Sequence, residues 1–169
     1  MSVREIVTLP AEILHRKAVK VKDFGPELQT LIDDMVDTMR AAPGVGLAGP
    51  QVNVSQRVIV VEFGDEEDEN VPPKLYAVVN PEITRPSRET VLAPEGCLSI
   101  PGVAGDVERS LTVTVKGYSR HGQPFRLKAR GWLARIFQHE VDHINGVLFT
   151  DKAERIWLLG AQDQAEIEI

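Results

Sequence analysis

The sequence predicts an α+β fold in a single domain spanning residues 1–169. Three observations carry this expectation. Two segments repeat apolar residues at helical spacing, four others are short, apolar and β-branched, and 169 residues with 43% apolar content can bury one core without disulfide staples.

Taken in order, a short helix is expected near Pro10, followed by the clearest helical pattern at 26–39. There Leu28, Leu31, Ile32, Met35, Val36 and Met39 share one face, Pro26 suits a first-turn position, and Asp33, Asp34 and Asp37 mark a solvated face. The Gly- and Pro-rich AAPGVGLAGPQ, residues 41–51, reads as a loop. Strands are expected at 57–63, 74–80, 111–118 and 124–128, the last two joined by a hairpin turn at 119–123. Between the first two strands, GDEEDENVPP at 64–73 carries five carboxylates and two prolines and reads as a solvated loop. A second helix is expected at 132–144, stopped by Asn145-Gly146, and a last short one at 151–159.

Charge and composition exclude several classes. A net charge of −6 with no Lys/Arg-rich block argues against direct nucleic-acid binding. The lone Cys97 cannot form an internal disulfide, which points to a reducing compartment. The longest aliphatic run, Val58 to Val61, is far too short to span a bilayer, and Arg4, Glu5 and Glu12 interrupt any leader-like segment. The expected location is the cytoplasm, with no membrane partner.

QHEVDH, residues 138–143, is the most chemically loaded stretch. On a helix His139 and His143 lie one turn apart, so both imidazoles reach one ion, with Glu140 placed to take a proton from a water that the ion acidifies. The bland alternative is a hydrogen-bonded core histidine, a surface glutamate and a cation near a helix C-terminus. No histidine follows His143 to supply a third ligand, and the later carboxylates fall in no ligand pattern.

Upstream, Cys97 stands in APEGCLSIPG, residues 93–102, whose two prolines and two flanking glycines suggest a sharply shaped loop. Its thiol is either a small buried apolar group or the third ligand of a Cys/His/His set, which would suit Fe(II), Zn(II) or Ni(II). In GVGLAGPQ, residues 44–51, the glycines either permit a turn or admit a substrate to the backbone, and the Gln51 amide could donate to a developing oxyanion.

Together GVGLAGPQ, EGCLS and QHEVDH followed by ING resemble, in order, the three signature motifs of the peptide deformylases. The resemblance implies antiparallel or mixed β-sheets packed around a central HExxH metal-binding helix, and removal of the N-formyl group from the N-terminal methionine of nascent polypeptides, releasing formate. It implies Cys97, His139 and His143 as ligands of one divalent metal ion, typically Fe(II), with Zn(II), Ni(II) or Co(II) able to replace it. Glu140 would be the general base and acid, and Gln51 with the Leu98 N–H would hold the formyl oxygen. Val45 and Trp132 would line the methionine pocket, and backbone at Gly46 and around Gly102 would pair with the peptide. A Glu95–Arg109 pair is expected to brace the cysteine segment.

Two positions depart from the family pattern, Gly49 in place of alanine and Ile144 in place of leucine, neither of them a proposed ligand. The family also implies transient ribosome association, but the C-terminal AQDQAEIEI has three carboxylates and no Lys or Arg, unlike the basic tail of many members. Two rival readings of the same residues are a metallopeptidase cutting internal bonds and a structural zinc site. The first lacks a downstream ligand, and the second lacks a second cysteine to close the shell.

Overall fold

The computed structural model describes residues 2–64 and 68–160. Among these residues, eight strands form two antiparallel sheets. β1 (Gly46–Ala48), β2 (Val58–Phe63), β3 (Lys74–Thr84), β6 (Thr112–Tyr118) and β7 (Pro124–Arg130) make a five-stranded sheet in the order β1-β2-β3-β6-β7. β4 (Thr90–Cys97), β5 (Ile100–Ser110) and β8 (Arg155–Leu158) make a second sheet in the order β4-β5-β8. The helices are α1 (Pro26–Ala41), α2 (Trp132–Ile144) and α3 (Phe149–Lys152).

The aliphatic run Val58–Val61 explains the layering. All four side chains are fully buried, Val58 and Val60 against α1 and Ile59 and Val61 against α2, as expected of a strand covered on both faces. Helix α2 therefore has the large sheet on one side. On its other side lies the small sheet, to which α2 is bonded through Arg135 and His139. Among the described residues no helix is long and apolar enough to cross a membrane.

Helix α1 carries the expected stripe, with Leu28, Leu31, Ile32, Met35, Val36 and Met39 all buried. Its polar face is not uniformly solvated. Asp34 is buried at 4% exposure, because the N-terminal segment crosses it and donates from Ser2 N at 2.8 Å and Arg4 Nε at 2.9 Å. Near Pro10 the structure has a single 3-10 turn, Glu12–His15.

Several expected boundaries shift. The 41–51 segment holds the last residue of α1, strand β1 and most of a 3-10 turn, Gly49–Val52, so only residues 42–45 are loop. β3 runs on to Thr84 past a bulge between Val79 and Glu82, where Asn80 takes a positive φ of 52°. The hairpin turn at 119–123 closes as expected, with Ser119 N donating to Gln123 O.

The larger corrections concern the small sheet. Cys97 does not lie in a loop; it ends β4, pairs with Ile100 and turns through Leu98-Ser99 into β5. The expected helix at 151–159 is instead one turn of α3, an extended Ala153, and strand β8. The cause is Gly105: any Cβ there would sit 2.9 Å from the Ala153 Cβ and 3.0 Å from Arg155 O, so the bare glycine lets this segment close against β5 and pair with it. Residues 65–67 of the acidic stretch and the acidic tail at 161–169 lie outside the described residues.

Candidate metal centre

Cys97, His139 and His143 come from two elements that meet face to face. Their ligand atoms lie within 4.8 Å of one another, and all three residues are buried. Cys97 Sγ is 3.3 Å from His143 Nε2, which is 3.2 Å from His139 Nε2. Donors around one tetrahedral ion at ordinary Zn–N and Zn–S lengths stand roughly 3.3–3.6 Å apart. The trio is therefore spaced to fit one small divalent ion.

Glu95 fixes the first ring. His139 Nδ1 lies 2.9 Å from Glu95 Oε1, so with Nδ1 donating, the Nε2 lone pair turns toward Cys97 and His143. Glu95 is itself fully buried and accepts from Arg109 Nε and Nη2, each at 2.9 Å, which is the bracing pair the sequence led us to expect. Burial would raise its pKa, but hydrogen bonds from Arg109 and His139 outweigh that and hold the carboxyl well below the usual range. Asp142 anchors the far side of Arg109 by accepting from Nη1.

The two rings differ in their affinity for a proton. Burial disfavours a charged His139, yet hydrogen bonds with Cys97 and Glu95 and the charge of Glu140 overcome it and raise its pKa to about 10. Burial and the charge on His139 together push His143 well below its ordinary value.

Glu140 is fully buried, and neither of its oxygens has a hydrogen-bond partner among the described residues. Such a carboxylate is costly unless something else uses it. Burial pushes its pKa up to about 7; His139 and Arg109 oppose the rise, while Glu95 and Asp142 add to it. Gly46 faces this group, since a methyl at Gly46 would collide with the Glu140 carboxylate.

Gln51 stands beside the cysteine. Its Oε1 accepts from Ala48 N at 3.0 Å, which turns Nε2 toward Ser99 Oγ at 3.1 Å and Cys97 Sγ at 3.6 Å. Leu98 follows Cys97 in the turn, with its side chain against Gly44. Val45 and Trp132 are half-buried against the α2 core. Gly102 lies at the start of β5 with a φ of 76° and open space on its Cα, and its carbonyl accepts from Leu159 N.

Three neighbours escaped the sequence reading. Ser99 is the fully buried acceptor for Gln51. Arg135 and Asp142 belong to the Glu95–Arg109 network. The available signal for Arg135 was its position one turn before His139, on the same helix face.

The polypeptide deformylase family model matches residues 3–157. A peptide deformylase of Symbiobacterium thermophilum is 46% identical over 99% of this chain and 75% of its own length. Peptide deformylase 1 of Bacillus subtilis is 47% identical over 93% of this chain and 94% of its own. A Met-Ala-Ser-bound class I type b peptide deformylase of Acinetobacter baumannii superposes with a TM-score of 0.82 at 39% identity, covering 90% of this chain and 99% of that one. The chain thus belongs to the polypeptide deformylase family, metal-dependent hydrolases that remove the N-formyl group from nascent polypeptides.

Proposed function

We propose that residues 1–169 form one catalytic domain in which Cys97, His139 and His143 hold a divalent ion and Glu140 moves the protons. One observation carries this reading: three ligand atoms converge beside a fully buried carboxylate that accepts no hydrogen bond from any other described residue. A thiolate with two imidazoles accommodates Fe(II), Zn(II), Ni(II) or Co(II), and the family's usual preference makes Fe(II) the native choice. When bound, the ion acidifies water and polarises the formyl oxygen.

The chain's own groups do the rest. Glu140, with its pKa raised to about 7, accepts a proton from the attacking water as its oxygen bonds to the formyl carbon. The C–N bond then breaks, Glu140 returns the proton to the departing amine, and formate is released. Charge that gathers on the formyl oxygen is met by the Gln51 Nε2 amide and the Leu98 N–H. Glu95 keeps His139 in the tautomer that presents Nε2.

The substrate is an N-formylmethionyl nascent peptide. β1 is an edge strand of the large sheet, so an extended peptide can add beside Gly46, with the open Cα of Gly102 flanking it. Val45 and Trp132 form the methionine side of the pocket. The Met-Ala-Ser peptide in the Acinetobacter relative supports a ligand of this kind. We place the activity in the cytoplasm, in transient association with the ribosome, which pelleting with purified ribosomes checks.

The deciding assay is formate release from formyl-Met-Ala-Ser by anaerobically prepared protein with its metal content measured. Turnover that requires the formyl group and stops on metal chelation is the expected result. Cleavage of an internal peptide bond in an unformylated peptide would overturn the reading.

A further inference from the structure

Helix α2 gives a buried position, one turn before His139, to Arg135, which is only 3% exposed. Its Nη1 donates to Glu95 Oε2 at 2.6 Å and to Val107 O at 2.9 Å, and its Nη2 donates to Val91 O at 2.6 Å. Val91 lies on β4 and Val107 on β5, so this one side chain bonds both strands of the hairpin that ends in Cys97 and also the carboxylate that orients His139.

A buried guanidinium is expensive, and an apolar side chain of similar volume would usually serve packing as well or better. Here the planar fork meets one carboxylate and two carbonyls at once, which a lysine ammonium on its flexible stem matches poorly. Arg109 already grips Glu95 in a bidentate pair and is bonded in turn by Asp142. Charge alone therefore does not explain the second guanidinium, but its placement between two ligand-bearing elements does.

We propose that Arg135 is a positioning residue for the metal site: it locks helix α2, which carries His139 and His143, to the β4–β5 hairpin, which carries Cys97. By bonding Glu95 Oε2 while His139 bonds Oε1, it also keeps that carboxylate aimed at the ring. This rests on the reading of Cys97, His139 and His143 as ligands, and the test separates the two claims.

The full-length protein is loaded with Co(II), whose thiolate charge-transfer absorption reports the cysteine–metal bond, and metal transfer to a chelator is timed. The variants are Arg135→Leu, Arg135→Lys and, as a control for general destabilisation outside the site, Met35→Ala. Arg135→Leu is expected to lose metal about tenfold to a hundredfold faster with a weakened thiolate band, the range seen when partners of metal ligands are removed. Its kcat falls while KM for formyl-Met-Ala-Ser stays near the parent's, and Arg135→Lys lies between. Met35→Ala keeps the parental release rate and band despite lower stability.

Parental release and band in folded Arg135→Leu would overturn the proposal. Should that variant fail to fold, Arg135→Lys decides: faster release supports the proposal and a parental rate overturns it. A parent protein that binds Co(II) with no thiolate band would instead refute the ligand set itself.

Discussion

Helices α1 and α2 pack against opposite faces of the same strand, β2, yet they bury different chemistry. α1 puts Leu28, Leu31, Ile32, Met35, Val36 and Met39 into the core, and its two buried polar groups, Asp34 and Thr38, both accept hydrogen bonds from the N-terminal segment. α2 buries Ile136, Phe137 and Ile144, but also Arg135, His139, Glu140 and His143. The difference follows from position. α1 has one sheet to cover, whereas α2 is wedged between two sheets and presents its second face to a hairpin that carries a thiol and a carboxylate. Burying ionisable groups costs desolvation that apolar packing would avoid. α1 is thus a stability helix, and α2 gives up stability for chemistry.

Substitutions in the two helices should therefore separate cleanly. The largest effect is expected at Glu140→Ala, with metal content retained and turnover down by about a thousandfold or more, in the upper range for losing a positioned acid–base group. Metal analysis alongside formate release checks it, and near-normal turnover would break the contrast. Met35→Ala, at a fully buried position in α1, should instead cost about 2–5 kcal/mol in denaturant unfolding while the folded fraction keeps its turnover. Gly46→Ala acts on α2 from outside. The added methyl must displace Glu140, whose Cδ and Cγ would lie 2.9 Å away, so turnover should fall roughly tenfold to a hundredfold with little change in melting temperature.

The smallest effect concerns Asp34. The Ser2 N–H, against the opposing effect of burial and with help from Arg4, lowers its pKa below the ordinary 3.8. The folded state then binds fewer protons than the unfolded state, so the contribution is present above about pH 4 and is lost as pH falls through the folded pKa. Asp34→Asn should remove that part of the acid dependence of unfolding and leave kcat unchanged.

How far the sequence could be read follows the same division. The α1 stripe was legible because packing on one sheet imposes a single 3.6-residue period. The proposed ligand residues stood out because metal chemistry demands Cys, His and Glu at fixed spacings, and motif order added Gln51. β4 and β5 were not, because TVLAPEGC and IPGVAGDVERS are rich in Gly and Pro and lack a strand-like alternation. Gly105 is small because β8 and Ala153 press on it, which is a tertiary reason invisible along the chain. β8 was hidden because a four-residue edge strand leaves too short a pattern to oppose a helical reading. Asp34 and Arg135 were missed for one shared reason: a charged side chain on a helix reads as solvated until the partner that buries it is known.

The central claim is that α2 and the β4–β5 hairpin jointly hold one ion. The most direct test is X-ray absorption at the metal edge of the anaerobically prepared protein, with Cys97→Ala alongside. A single sulfur scatterer at about 2.3 Å with two imidazole nitrogens, its sulfur lost in Cys97→Ala, is the predicted result. A shell of nitrogen and oxygen alone in the parent protein would contradict it.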